Sequence, residues 1–427
     1  MAEQTIELGW GTGKVTVALG GHLRPLVVAP EPAEPARDPE KKILSALREP
    51  DAGPSLEKLC GASRRVLIVV SDGTRVTGAQ EFLPVLVRFI KECGVPEEGI
   101  QLIVATGMHA PAGRERLEAF LPPEITQNLS VTEHDCRDEG AHFYAGSTSR
   151  GTRVHLNKRA AEADLVVLTG SIGLHYFAGF RGGRKSVLPG IAALSSICSN
   201  HRLTISGESG FHPLCRNASL DGNPVHEDML ESLTLIPPSF LLNTIVDAEG
   251  RVLSLHTGDP VEAHLRGSRE LQKRVQVAIS GKADCAVVSC GGYPRDSTLI
   301  QSHKSVENAS VALKDGGSMV VLAKCQDGIG SDTLLSWFED GSIDSVRRKL
   351  VSHYTLHGHT ALSMMEKAKR FHIHLVSDLK DDVVRRTGFV PSSSVEKAME
   401  EVLKREKGSV TTLVFPEGSE TLPVARE

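Results

Sequence analysis

Five short apolar runs recur along this chain, and each stops abruptly at a loop of glycines and polar residues. VLIVV leads into Ser71-Asp72-Gly73-Thr74-Arg75, LIVA into 106–109, LVVL into 169–175, CAVVS into 290–296 and VVLA into 324–330. Unbroken apolar runs of this length, separated by helical segments, predict strands of a parallel sheet covered on both faces. The intervening stretches supply the helices: KKILSALREP from residue 41, AQEFLPVLVRFIKECG ending at Gly94, IDSVRRKLVSHYTL, and SVEKAMEEVLKRE near the C-terminus. Strict alternation appears only in TIELGWGTGKVTVAL, a predicted β-hairpin, which the Pro- and charge-rich VVAPEPAEPARDPEKK follows as a loop. PPSFLLNTIVDAEGRVLSLHTGD predicts two antiparallel strands around an Asp-Ala-Glu-Gly turn.

This order predicts an α/β protein of two α/β domains with mostly parallel sheets, one over 1–270 and one over 275–407. The strand in 408–427 is left to close either sheet. Ligands of open parallel sheets sit outside the carboxyl ends of the strands. The five loops are therefore expected to meet in an interdomain active-site cleft.

The length of 427 residues agrees with two cores rather than one. A net charge of −5 offers no broad basic face, which argues against nucleic acid or an anionic membrane as partner. Eight cysteines without a CxxC pair argue against a zinc ribbon or a disulfide framework, and the N-terminus has no basic-then-apolar leader. A cytoplasmic protein is the expectation.

The polar residues gather at the loops. Ser71–Arg75 offers backbone N–H groups, a hydroxyl and a planar guanidinium, a set suited to phosphate or carboxylate, although an N-cap with a surface Arg would look the same. His109 and His175 each close a loop that begins Thr-Gly, equivalent positions that suggest acid–base chemistry as much as structure. GLHYFAGFRGGRKSVLPG, residues 173–190, is a stretch that neither helix nor strand would choose. It is not a P-loop, because Arg184 stands where GxxxxGK[ST] needs glycine. It is either a solvated basic loop or an anion site with Lys185 as a nucleophilic amine. His201 ends a predicted helix that begins at about 190 and reads equally as a C-terminal cap. His226-Glu227-Asp228 is read as capping of a helix that starts after Asn223-Pro224 rather than as a metal site. Gln301 and Lys304 share a helix face, as ligand contacts or as a surface pair.

Taken together, SDGTR at 71–75, TGMH at 106–109, GLHYFAGFRGGRKSVLPGIA at 173–192, NH at 200–201, GNPVHEDM at 222–229, GGYPRD at 291–296 and the Gln301/Lys304 pair resemble the nickel-pincer lactate racemase family over nearly the whole chain. The resemblance implies a pyridinium mononucleotide, the nickel-pincer nucleotide, attached covalently to Lys185, with His201 as the protein's ligand to nickel. It implies His109 and His175 as the paired acid–base residues, and Asp72 and Thr74 as contacts to the nucleotide end. Arg75, Gln301 and Lys304 would bind the substrate carboxylate or carbonyl oxygen. The implied reaction inverts C2 of a 2-hydroxy acid by reversible hydride transfer through a 2-oxo acid, and the implied partners are the substrate and cofactor-maturation proteins.

Two departures point to a substrate other than lactate. Ile300 stands where an aromatic is expected, and the 356–359 region offers Leu356, His357 and His359 in place of an indole. Arg295 adds a second expected anionic contact. A dehydrogenase is disfavoured by the lack of a GxGxxG opening a helix after an early strand. A non-catalytic cofactor carrier would need Lys185 but not both histidines.

Overall fold

The structure is a computed structural model and describes residues 4–20, 23–207, 210–406 and 409–425. Two compact units emerge, one of Pro32–Thr204 with Pro213–Gln272, the other of Met1–Glu31, Ile205–His212 and Lys273–Glu427.

The first unit is built on a six-stranded sheet in the order Val252–Gly258, Ser239–Val246, Leu165–Ser171, Val66–Ser71, Ile100–Ala105, Ser130–Glu133. All neighbours run parallel except the edge pair of Val252–Gly258 with Ser239–Val246, the antiparallel pair expected around Asp247–Gly250. The apolar runs serve both faces at once, because successive side chains point oppositely. Val66, Ile68 and Val70 enter one core with helices Pro39–Arg48 and Ala79–Glu92. Leu67 and Val69 enter the other, with Phe177, Val187, Leu188, Ile191, Ile197 and Met229. The glycine-rich segment is thus laid over one face of this sheet and contributes to its core. Burial of each such side chain contributes about 1.5–3 kcal/mol.

The second unit carries an all-parallel sheet of six strands: Val390–Ser392, His372–Val376, Leu313–Leu322, Ala283–Ser289, Val410–Phe415 and Leu23–Val27. The C-terminal strand therefore closes the second sheet. Leu23–Val27 joins it at the edge, whereas the sequence reading ended its structure at the hairpin and began a loop at Val27. Pro25 and the exposed Leu26 and Val27 explain the miss, since an edge strand tolerates proline and need not look buried. The hairpin Gln4–Trp10 with Gly13–Leu19 forms as expected, and its Leu8, Val17 and Leu19 cover one face of this sheet. Residues 4–20 and 23–31 thus group with the C-terminal half rather than with the N-terminal domain expected over 1–270.

The segment 173–190 corrects a second expectation. Gly173–His175 and Gly179–Arg181 pair as a short antiparallel ladder, followed by a 3-10 turn over Gly183–Ser186. Gly182 and Gly183 take φ of 84° and 57°, conformations that side-chain-bearing residues avoid. A Cβ at Gly182 would lie 2.6 Å from Asn243 Oδ1, the atom that accepts the Gly183 N–H at 2.7 Å. The glycines let this backbone sit against the strand Ser239–Val246.

Candidate active site

Register places the first three loops together. Ser71 pairs with Ala105, and Val69 with Leu168, so the adjacent strands Leu165–Ser171, Val66–Ser71 and Ile100–Ala105 end side by side. Ser71–Arg75, Thr106–His109 and the 172–190 segment leave that common edge. They are tied to one another: Gly107 N donates to Gly190 O at 3.0 Å, and Ser171 Oγ to Val76 O at 2.8 Å.

Asp72 is held by Thr74, whose N and Oγ1 donate to Oδ1 at 3.1 and 2.5 Å. Its other oxygen lies 2.5 Å from His109 Nδ1. Burial pushes the Asp72 carboxyl up, but the bond and charge of His109, with Arg75 and Thr74, bring it below its ordinary value. An ionised carboxylate only accepts, so His109 carries a hydrogen on Nδ1, and in the neutral ring the lone pair is on Nε2. Asp72 and Thr74, expected at a nucleotide's end, bond to each other, and Asp72 also meets the His109 imidazole.

His175 has the opposite pattern. Ala178 N–H donates to its Nδ1 at 3.2 Å, so the neutral ring carries its hydrogen on Nε2. Its ring meets Phe177 edge-on at 4.4 Å and stacks on Tyr176 at 5.7 Å. His201, on the helix Leu194–Arg202, meets the same Phe177 ring at 5.0 Å, and Lys185 Nζ lies 5.7 Å from its centroid. One buried phenyl ring, 3% exposed, thereby gathers His175, Lys185 and His201. Nothing in the sequence singled Phe177 out, since its role depends on the ladder that turns it inward.

Burial, then the charges of Arg184 and Arg75, hold the half-buried Lys185 amine well below the usual lysine range. Arg184 itself is fully buried. Its guanidinium donates to Ala178 O at 2.7 Å, to His264 Nε2 at 2.9 Å and to Gly182 O at 3.4 Å. Burial pushes it down to about 9, which leaves it charged at neutral pH.

Asn200 and Asp228 were also missed. Asn223 caps the helix Pro224–Ser232 as expected, and Glu227 accepts from Gly222 N at 2.8 Å. Asp228, however, is fully buried and accepts from Thr148, Thr152 and Asn200 rather than serving the cap. Its helical position points it inward, information that only the packing of that helix supplies.

Arg295, Gln301 and Lys304 belong to the second unit. Lys304 Nζ donates to Gln301 Oε1 at 2.5 Å on the helix Leu299–Ser310, the shared face expected from their spacing. Arg295 faces Glu420 at 3.7 Å, which already supplies it with an anion. His359 is buried, with Tyr354 Oη 2.5 Å from its Nδ1. Trp337, from elsewhere in the chain, packs beneath this segment and donates to Leu356 O at 3.2 Å.

Among the described residues, no three His, Cys, Asp or Glu side chains gather as a candidate metal site. No helix among them is long and apolar enough to cross a membrane.

The first unit is thus an α/β domain whose strand ends present the Asp72–His109 pair, with His175, Lys185 and His201 gathered on the Phe177 ring. Known proteins give this chain a family. Residues 10–211 match the lactate racemase N-terminal domain and 279–422 the lactate racemase C-terminal domain. The lactate racemase of Thermoanaerobacterium thermosaccharolyticum is 32% identical over 301 residues, 70% of this chain and 69% of the relative. That of Lactiplantibacillus plantarum is 30% identical over 389 residues, 89% of each chain. The solved lactate racemase apoprotein from the former organism superposes with a TM-score of 0.89 at 26% identity, covering 99% of this chain and 100% of that one. A Thermotoga maritima protein shares the fold with a TM-score of 0.71 at 19% identity, covering 92% of this chain and 100% of that one. This chain belongs to the lactate racemase family.

Proposed function

We propose that this protein is a racemase or epimerase of 2-hydroxy acids that works with a nickel-pincer nucleotide attached to Lys185. The observation that carries the reading is the clustering of His175, Lys185 and His201 on one phenyl ring, at the strand ends that also present the Asp72–His109 pair.

The residues suit the group. Lys185 offers an amine whose pKa burial and two arginines lower, which favours the neutral form that attacks an activated carboxyl carbon. His201 offers one imidazole, and nickel accepts imidazole beside soft sulfur and carbon donors in a planar set. When bound, such a group supplies a carbon that accepts and returns the substrate's C2 hydrogen as hydride.

The chain's own side chains manage the proton and the charge. His109, with Nδ1–H anchored on Asp72, accepts the hydroxyl proton at Nε2 as the C–O bond gains carbonyl character. His175 faces the other enantiomer. With the Ala178 N–H donating to Nδ1, the neutral ring carries its hydrogen on Nε2; taking the hydroxyl proton at Nε2 therefore requires that hydrogen to move first to Nδ1, displacing the Ala178 N–H, one weak bond. Arg75 supplies a cation beside Asp72 for the substrate carboxylate. Gln301 and Lys304 would contact the substrate's oxygens, and Ile300 in place of an aromatic favours a substrate larger or more polar than lactate.

The test is chiral analysis of single enantiomers of a 2-hydroxy-acid panel, sugar acids included, each deuterated at C2 and incubated with protein coexpressed with cofactor-maturation proteins. The expected result is inversion with deuterium retained at C2, fastest for an acid other than lactate. Exchange of deuterium with solvent would refute hydride transfer, and turnover of lactate alone would refute the altered pocket.

A further inference from the structure

His201 is preceded by a side chain whose own bonds determine which way that imidazole is wired. Asn200 is fully buried, and its Nδ2 donates twice, to Val225 O at 3.1 Å and to Asp228 Oδ2 at 2.8 Å. Both partners are acceptors at this geometry, a backbone carbonyl and a carboxylate, so the amide cannot be turned over without setting oxygen against oxygen twice. Asp228 is itself fixed: Thr148 Oγ1 donates to Oδ1 at 2.5 Å and Thr152 Oγ1 to Oδ2 at 2.9 Å, and Thr148 Oγ1 in turn accepts from Thr152 N at 3.1 Å. With Nδ2 so committed, Asn200 Oδ1 is the atom 3.2 Å from His201 Nδ1. A carbonyl oxygen can only accept, so Nδ1 must carry the hydrogen.

We infer that Asn200, locked by Asp228, is a positioning residue that holds His201 in its Nδ1–H tautomer and so places the lone pair on Nε2. This deepens the proposal that His201 is the metal ligand and rests on it for its purpose. Metal-binding imidazoles generally donate their second N–H to an oxygen that fixes tautomer and ring orientation. Here that oxygen is an amide one bond removed from a buried carboxylate, and the Phe177 edge contact at 5.0 Å restrains the ring from the side. The neutral histidine side chain in water prefers the Nε2–H tautomer, so the wiring is a property of this fold rather than of histidine.

The experiment is long-range proton–nitrogen NMR of the cofactor-free protein labelled with nitrogen-15 in its histidine rings, at about pH 8.5, above the ordinary imidazole range. His201→Gln identifies the resonances. The expected wild-type spectrum has a pyrrole-type Nδ1 and a pyridine-type Nε2 for His201, and Asn200→Ala moves Nδ1 towards the pyridine-type shift. A His201 protonated on Nε2 in the wild type overturns the inference, and this reading needs no variant to fold. A tautomer unchanged in folded Asn200→Ala overturns the part given to Asn200. In protein coexpressed with maturation proteins, Asn200→Ala should keep the Lys185 mass adduct while a chelator strips its nickel about 10–100-fold more readily; equal retention would count against the inference. A wild type with neither adduct nor nickel overturns the cofactor reading separately, so the two failures are distinguishable.

Discussion

Arg184 and Glu307 are both buried charged residues, one in each unit, and their surroundings differ in kind. Glu307 lies between helices Leu299–Ser310 and Gly358–Arg370, where Lys367 Nζ approaches at 2.9 Å, His303 Nε2 at 3.1 Å, and Ser363 Oγ donates to it. Burial would raise this carboxyl, but Lys367 and His303 outweigh burial and bring it to about 2. Among the described residues, Arg184 meets neutral groups, two carbonyls and His264, whose ring burial and the nearby guanidinium hold well below its ordinary range. The compensated charge fastens two helices. The uncompensated one adds a positive field to the burial that already lowers the Lys185 amine pKa. Buried charge without a counter-ion is costly, and it stands here beside the side chains to which chemistry is assigned.

That contrast would break most visibly if activity did not follow the first unit. His109→Ala and His175→Ala are each expected to lower racemisation about 10²–10⁴-fold, as for lost general acid–base groups, while the Lys185 adduct and the unfolding midpoint stay in place. Chiral chromatography with intact mass checks this, and full activity in both variants would remove the acid–base assignment.

The second unit should answer in stability instead. Glu307 has a folded pKa below its unfolded value, so its contribution is fully present above the unfolded value of about 4.5 and fades as pH falls from there towards about 2. A shift of that size corresponds to roughly 3 kcal/mol at pH 7. Glu307→Gln is expected to lose about that much in denaturant unfolding at pH 7, with the gap to wild type narrowing by about pH 3. A gap that stays constant with pH would show that the ion cluster is not what Glu307 contributes.

The smallest effect sharpens the role of Arg184. Arg184→Met removes the cation and leaves an apolar side chain of similar length, so the Lys185 pKa rises towards its ordinary value. Acylation of Lys185 in cofactor-free protein at pH 7 should then slow, because a smaller share of the amine is unprotonated. Peptide mapping against surface lysines reads this directly. An unchanged rate would mean that desolvation alone keeps the amine neutral.

The parallel strands were legible because a strand buried on both faces must be apolar throughout, as VLIVV and LVVL are. Leu23–Val27 and the ladder around Phe177 were not, since an edge strand with proline and a glycine-rich hairpin carry no such signature. Among site residues, spacing and resemblance brought forward His109, His175, Lys185 and His201. The partners that set their protonation, namely Asp72 for His109, Ala178 N for His175 and Asn200 for His201, depend on which atoms the fold brings within 2.5–3.2 Å. Hydrogen-bond direction is a property of placement and leaves no periodic trace in a sequence.

The central claim is that Lys185 is the attachment point of a nickel-bearing nucleotide, and intact mass spectrometry with metal analysis after coexpression with cofactor-maturation proteins tests it most directly. The account predicts a mass adduct mapping to Lys185, close to one nickel per chain, and loss of both in Lys185→Ala. An active protein with an unmodified Lys185 and no nickel would contradict it.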